Sequence, residues 1–141
     1  MVDVSRSRQM ALVRDRNTKP EIAVRSALHA AGLRFRLHDR RLPGVPDLVF
    51  PSRRLVLFVH GCFWHQHQNP SCRLARMPKS RLEFWKPKLE GNRARDTRWS
   101  TELTDAGWTV MTVWECQLKD AKTLPTLIDR IRAIPPRKSR P

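Results

Sequence analysis

One stretch constrains this chain more than any other: Leu55-Val-Leu-Phe-Val-His60-Gly-Cys-Phe-Trp-His65-Gln-His67. Its first five residues form an apolar run with β-branched members, the pattern of a buried strand. At Gly61 the strand character stops, and around that break the chain presents His60, Cys62, Phe63, Trp64, His65 and His67. A fold that accepts this stretch must bury the strand and leave its far end accessible. A strand end is also a rigid place from which to hold reactive groups. One histidine there would read as surface polarity, but three with a cysteine read as an active centre.

The rest of the composition narrows the chemistry. With 141 residues the chain has material for one domain and one core. Lys and Arg outnumber Asp and Glu by 28 to 13, a net charge of +15, which implies a polyanionic partner with nucleic acid first. No run approaches the ~18 apolar residues of a membrane span, and the N-terminus lacks a signal-peptide core. The expectation is a soluble, cytoplasmic protein with no membrane partner. Three cysteines cannot all pair within the chain, and in a reducing compartment thiolate metal ligation is their natural use.

Along the chain, residues 1–17 carry Arg6, Arg8, Arg14 and Arg16 without apolar periodicity and read as a mobile basic arm. Thr18-Lys-Pro-Glu21 is a capping box, with Glu21 at its third helical position, opening a helix through Ile22, Val24, Leu28 and Ala31 that stops at Gly32. Phe35 to His38 alternates like a strand, and the loop Leu42-Pro-Gly-Val-Pro-Asp47 leads into a second, Leu48-Val-Phe50. Asp47 thus stands at one end of a hairpin whose other strand ends in Val59-His60. It is either a turn carboxylate or, as a hard oxygen donor beside a basic surface, a Mg²⁺ ligand. Ser80-x-x-Glu83 is a second capping box, opening a helix that Pro87 should break or kink, with a longer helix from about residue 88 to 104. Trp108 to Trp114 is a strand, Thr123 starts a last helix, and residues 135–141 form a basic, Pro-rich tail. The domain proper is expected over residues 18–134, as an α/β sandwich with a small mixed sheet flanked by helices.

Cys62, His67, Cys72 and Cys116 make a Cys₃His set, a normal structural zinc shell. Their spacing matches no ordinary zinc finger. A zinc deaminase is excluded, because no Glu accompanies the His and no CxxC follows. Walker A and H-E-x-x-H motifs are absent too.

Pro46-Asp47, then F-V-H-G-C-F-W-H-x-H, a later Cys, R-L-E-F-W, N-R-A-R-D ending at Asp96, and W-E-C ending at Cys116 together resemble the very-short-patch-repair (Vsr) DNA mismatch endonucleases. The resemblance runs in order over roughly residues 5 to 118. It implies a restriction-endonuclease-like fold with a structural zinc, and an enzyme that nicks the thymine strand of a T·G mismatch. It makes Asp47 the Mg²⁺-binding carboxylate, with the backbone carbonyl of Val59 as second ligand, and His65 the base acting on the attacking water. Glu21, His60 and Asp96 become outer groups that hold metal-bound waters or the scissile phosphate. Cys62, His67, Cys72 and Cys116 take the zinc, and Phe63, Trp64 and Trp85 enter the base stack beside the mismatch. Some members carry Thr at the position of Val59, a change that a backbone carbonyl survives. The implied partner is duplex DNA bearing the mismatch, met by a monomer, with mismatch-repair proteins as further partners. The residues read alone leave a second class open, a non-catalytic zinc-stabilised nucleic-acid-binding module, and a third, an RNA-binding or assembly protein.

Overall fold

The computed structural model describes residues 18–137, so the basic arm expected over residues 1–17 and the end of the tail lie outside the described residues. Thr18 caps the first helix, α1 (Lys19–Ala30), its hydroxyl accepting from the Glu21 N–H at 3.3 Å. Pro20 sits in the first turn, where its missing N–H costs nothing. Three strands follow, β1 (Arg36–Leu37), β2 (Leu48–Phe50) and β3 (Leu55–His60). A long helix, α2 (Leu82–Asp105), then crosses to β4 (Thr109–Trp114), and α3 (Thr123–Arg132) closes the chain. The sheet order is β1-β2-β3-β4, antiparallel except for the parallel β3–β4 pair that α2 connects. This is a mixed α/β sandwich, as the hydrophobic pattern predicts.

Strand parity sorts the residues into two layers. Leu48, Phe50, Leu55, Leu57, Val59, Met111 and Val113 face the larger core, with Val24 and Leu28 of α1 and Leu127 and Ile131 of α3. Val49, Val56 and Phe58 face the opposite way and pack with Leu103 of α2. All six residues of β3 are buried, which explains why a strand covered on both faces reads as a continuous apolar run. Asp47, just before β2, and His60, the last residue of β3, stand at the same end of the sheet.

Two expectations fail. Ser80 does not open the long helix: Arg81 stands at the N-cap with left-handed backbone (φ 58°), and its carbonyl takes the N–H groups of Phe84 and Trp85. Nor does Pro87 break the helix, which is continuous over 24 residues. Pro87 is exposed and only in the second turn, and the buried Leu89 and Leu103 tie the helix down beyond it. Proline's penalty of about 3 kcal/mol is smaller than the anchoring from such burial combined with a full ladder downstream. The first strand is also shorter than expected, because His38 leaves extended geometry (φ 48°). No helix among the described residues is long and apolar enough to cross a membrane.

Candidate active and metal sites at the end of the central strand

After His60 the chain folds into a tight turn: the His65 N–H donates to the Gly61 carbonyl at 3.1 Å, and the His67 N–H to that of Cys62 at 3.0 Å. Gln66, in left-handed backbone (φ 46°), reverses the direction, so His65 and His67 leave on different sides. Its side-chain amide donates to the Phe63 and Ala75 carbonyls, and Asn92 of α2 donates to the Trp64 carbonyl at 3.0 Å. The turn is thereby fixed to the cysteine loop on one side and to α2 on the other.

On one side lie Cys62, His67, Cys72 and Cys116, whose ligand atoms all fall within 4.8 Å of one another. His67 Nδ1 is 3.7 Å from the Cys62 sulfur and 3.4 Å from that of Cys116. A tetrahedron with metal–sulfur bonds of about 2.3 Å and a metal–nitrogen bond of about 2.1 Å has edges of roughly 3.5–3.8 Å, so the set fits a closed tetrahedral site. The protonation chemistry agrees. Burial pushes the Cys62 thiol up to about 12 and raises Cys116 as well, so a cation is needed to hold both as thiolates. Burial also lowers His67, favouring the neutral imidazole that ligates. Trp114 stacks on His67 at 4.2 Å and fixes its ring.

On the other side, His65 stacks on His60, ring centroids 3.8 Å apart. Its Nδ1 is 2.6 Å from Asp96 Oδ2 on α2. An ionised carboxylate only accepts, so Nδ1 carries the proton and the Nε2 lone pair is left available. His60 is buried, and burial, reinforced by the neighbouring His65 and opposed by Asp96, lowers it to about 3; it stays neutral at physiological pH. Its Nδ1 has no hydrogen-bond partner among the described residues.

Asp47 is also buried, and its Oδ2 accepts from the Val59 N–H at 2.7 Å. In an extended strand the N–H and C=O of one residue point to the same side, so the Val59 carbonyl faces the Asp47 edge, beyond the last β2–β3 pair. Glu21, 1% exposed, arrives from α1 and bonds Arg25 at 3.2 Å and His38 at 2.8 Å. The ligand atoms of Glu21, His38 and Asp47 lie within 4.8 Å of one another, and those of His60, His65 and Asp96 form a second such group. A cavity of about 640 Å³ joins the two, lined by His38, Asp47, Val59, His60, His65 and Asp96 among others.

All five acid, base and outer residues singled out from the sequence therefore converge on one end of the sheet. Asp96 is beside His65 rather than in the Asp47 group. Phe63, Trp64 and Trp85 also meet, with ring centroids 5.2–5.9 Å apart. Sequence reasoning missed His38, Phe84 and Trp99. Phe84 extends the aromatic cluster, edge-on to Trp85 at 5.0 Å and 46% exposed. Trp99 lines the cavity and packs so closely on Gly44 that a Cβ there would lie 3.0 Å from its ring. Of the three, only His38 carried a usable signal, since the β1–β2 hairpin places it opposite Asp47.

Residues 2–72 match the family model described as DNA mismatch endonuclease Vsr. The chain belongs to the Vsr family. It is 60% identical over 115 residues to the type II nicking enzyme V.XorIIP of Xanthomonas oryzae pv. oryzae, covering 82% of each chain. It is 43% identical to the type II nicking enzyme V.NmeAIP of Neisseria meningitidis, over 82% of this chain and 80% of that one. With the DNA mismatch endonuclease Vsr of Escherichia coli it shares 42% identity, over 85% of this chain and 75% of the relative. The Vsr family is restriction-endonuclease-like in fold, in keeping with the mixed sheet and flanking helices described above.

Proposed function

We propose that this Vsr-family chain nicks one strand of duplex DNA at a T·G mismatch by Mg²⁺-assisted hydrolysis of a phosphodiester. Family membership makes it a DNA-nicking hydrolase. The observation that carries the catalytic reading is the shared cavity, in which the buried carboxylate of Asp47 faces a histidine already oriented by Asp96. Asp47 and the Val59 carbonyl would hold Mg²⁺, a hard-oxygen donor set that suits it. Bound there, it would supply charge stabilisation to the phosphate and to the leaving oxygen.

The chain's own residues do the rest. Asp96 holds His65 in the Nδ1–H tautomer, so Nε2 can take a proton from the water attacking phosphorus. The resulting imidazolium is stabilised by the Asp96 carboxylate. His60, held neutral by burial, lines the same cavity beside His65 and would contact a water or a phosphate oxygen there. Glu21 supplies a second buried carboxylate for water held near Asp47. Zinc in the Cys62, His67, Cys72 and Cys116 shell would fix the turn that delivers His65.

Mismatch selectivity rests on Phe63, Trp64 and Trp85. Half-buried rings held edge to face present a rigid wedge, and unstacking costs least where base pairing is already poor. The net charge of +15 supplies backbone affinity independent of sequence. The binding-module alternative has less support, because it has no use for Asp47, His60, His65 and Asp96 around one cavity. A panel of duplexes carrying each mismatch, with Mg²⁺ or with chelator, tests the reading. Metal-dependent nicking greatest at T·G is expected, and equal nicking of a matched duplex would refute it.

A further inference from the structure

The last pair of the β1–β2 ladder is Leu37 with Leu48, so His38 falls opposite Asp47, and its N–H donates to the Asp47 carbonyl at 3.2 Å. Here the backbone enters the left-handed region (φ 48°), uncommon for a residue with a side chain, though histidine is among those enriched there. The turn directs the ring away from the strand edge to α1, and Nε2 comes within 2.8 Å of Glu21 Oε2. The side chain is only 14% exposed. Arg25 binds the same oxygen at 3.2 Å but stands one turn along the same helix, so it cannot relate Glu21 to the sheet. His38 can, since it bonds Glu21 through its ring and Asp47 through its backbone.

We propose that His38 is a positioning residue for the nicking reaction, its Nε2–H holding the Glu21 carboxylate against the strand that carries Asp47. This rests on the reading above, in which Glu21 and Asp47 serve the metal-dependent step. Nε2 is at hydrogen-bond distance from a carboxylate oxygen, and a carboxylate accepts, so this nitrogen is the donor and its lone pair is not free for a metal. His38 therefore acts through Glu21, and any side chain that donates from the same place should substitute for it.

The test is single-turnover nicking of a T·G duplex across a Mg²⁺ titration, with zinc content and melting temperature read on each variant. His38→Ala should nick about 10-fold more slowly and need several-fold more Mg²⁺, with zinc and melting temperature unchanged. His38→Gln should recover most of both losses, because its amide donates. The double variant His38→Ala/Glu21→Ala should be no slower than Glu21→Ala alone. If the double variant shows the full product of the two losses, or if Gln is no better than Ala, His38 works independently and the proposal fails. A fall in melting temperature that accounts for the lost rate, with Mg²⁺ dependence unchanged, would reduce His38 to a structural residue. A wild-type rate in Glu21→Ala removes the route through Glu21, whereas a wild-type rate in Asp47→Ala removes the site assignment itself.

Discussion

His65 and His67 are two positions apart, yet they join different clusters of side chains, to which the proposed function gives different chemistries. Gln66 between them adopts a left-handed backbone, so one ring goes to Asp96 and the other to the cysteines. Their replacement should separate cleanly. If the Cys₃His set holds zinc as proposed, His67→Ala removes one of four ligands, and because structural zinc binding is coupled to folding, bound zinc and melting temperature should both fall, as in Cys116→Ala. His65→Ala should keep zinc, fold and duplex binding while nicking falls about 10²-fold or more, the usual size of a lost general base. Loss of zinc from His65→Ala with normal nicking by His67→Ala would reverse the assignment. Trp64 is a third test at this scale. Replacing it by Ala removes stacking surface but no charge, so the preference for T·G over matched duplex should shrink more than affinity for either. An equal loss on both duplexes would mark Trp64 as a packing residue.

Element boundaries show what was legible in the sequence and what was not. The strands β2 to β4 and the helix capped by Thr18 follow from local pattern, because each is fixed by its own residues: apolar runs or a cap and its N–H partner. The long helix was misread because Ser80 and Pro87 carry strong local signals that tertiary packing overrides at Leu89 and Leu103. That makes Pro87→Ala informative. It restores a missing helical hydrogen bond at an exposed position, so stability should rise by about 1–3 kcal/mol, measured by denaturant unfolding. A decrease would mean the helix is not regular there. The contact of Trp99 with Gly44 was illegible for a different reason, since nothing local links residues so far apart. Gly44 has φ 75°, and a Cβ there would press to 3.0 Å on the Trp99 indole, which would have to give way. Gly44→Ala should therefore lower the melting temperature by several degrees, a cost of about 1–3 kcal/mol, and slow nicking by shifting the loop that ends at Asp47. Unchanged stability would show that the loop yields freely.

For the whole molecule, charge and site work together. A net charge of +15 on one small domain should give duplex affinity that falls steeply with salt, with a log–log slope of roughly −5 if about six phosphates are met. A nearly flat dependence would remove electrostatics as the source of affinity. Binding of this kind brings any duplex to the protein but does not choose among sequences. In the proposed function, selection falls to the aromatic cluster and chemistry to the cavity beside it; the turn that follows β3 supplies Phe63 and Trp64 to the first and His65 to the second. The most direct test of that arrangement is to map nicks on a T·G duplex labelled separately on each strand, with Mg²⁺, for the wild-type chain and Asp47→Ala. The expected result is a nick in the thymine strand alone, little nicking of the matched duplex, and loss of the nick in Asp47→Ala with duplex binding retained. Cutting of both strands, equal cutting of the matched duplex, or a wild-type rate in Asp47→Ala would contradict the account.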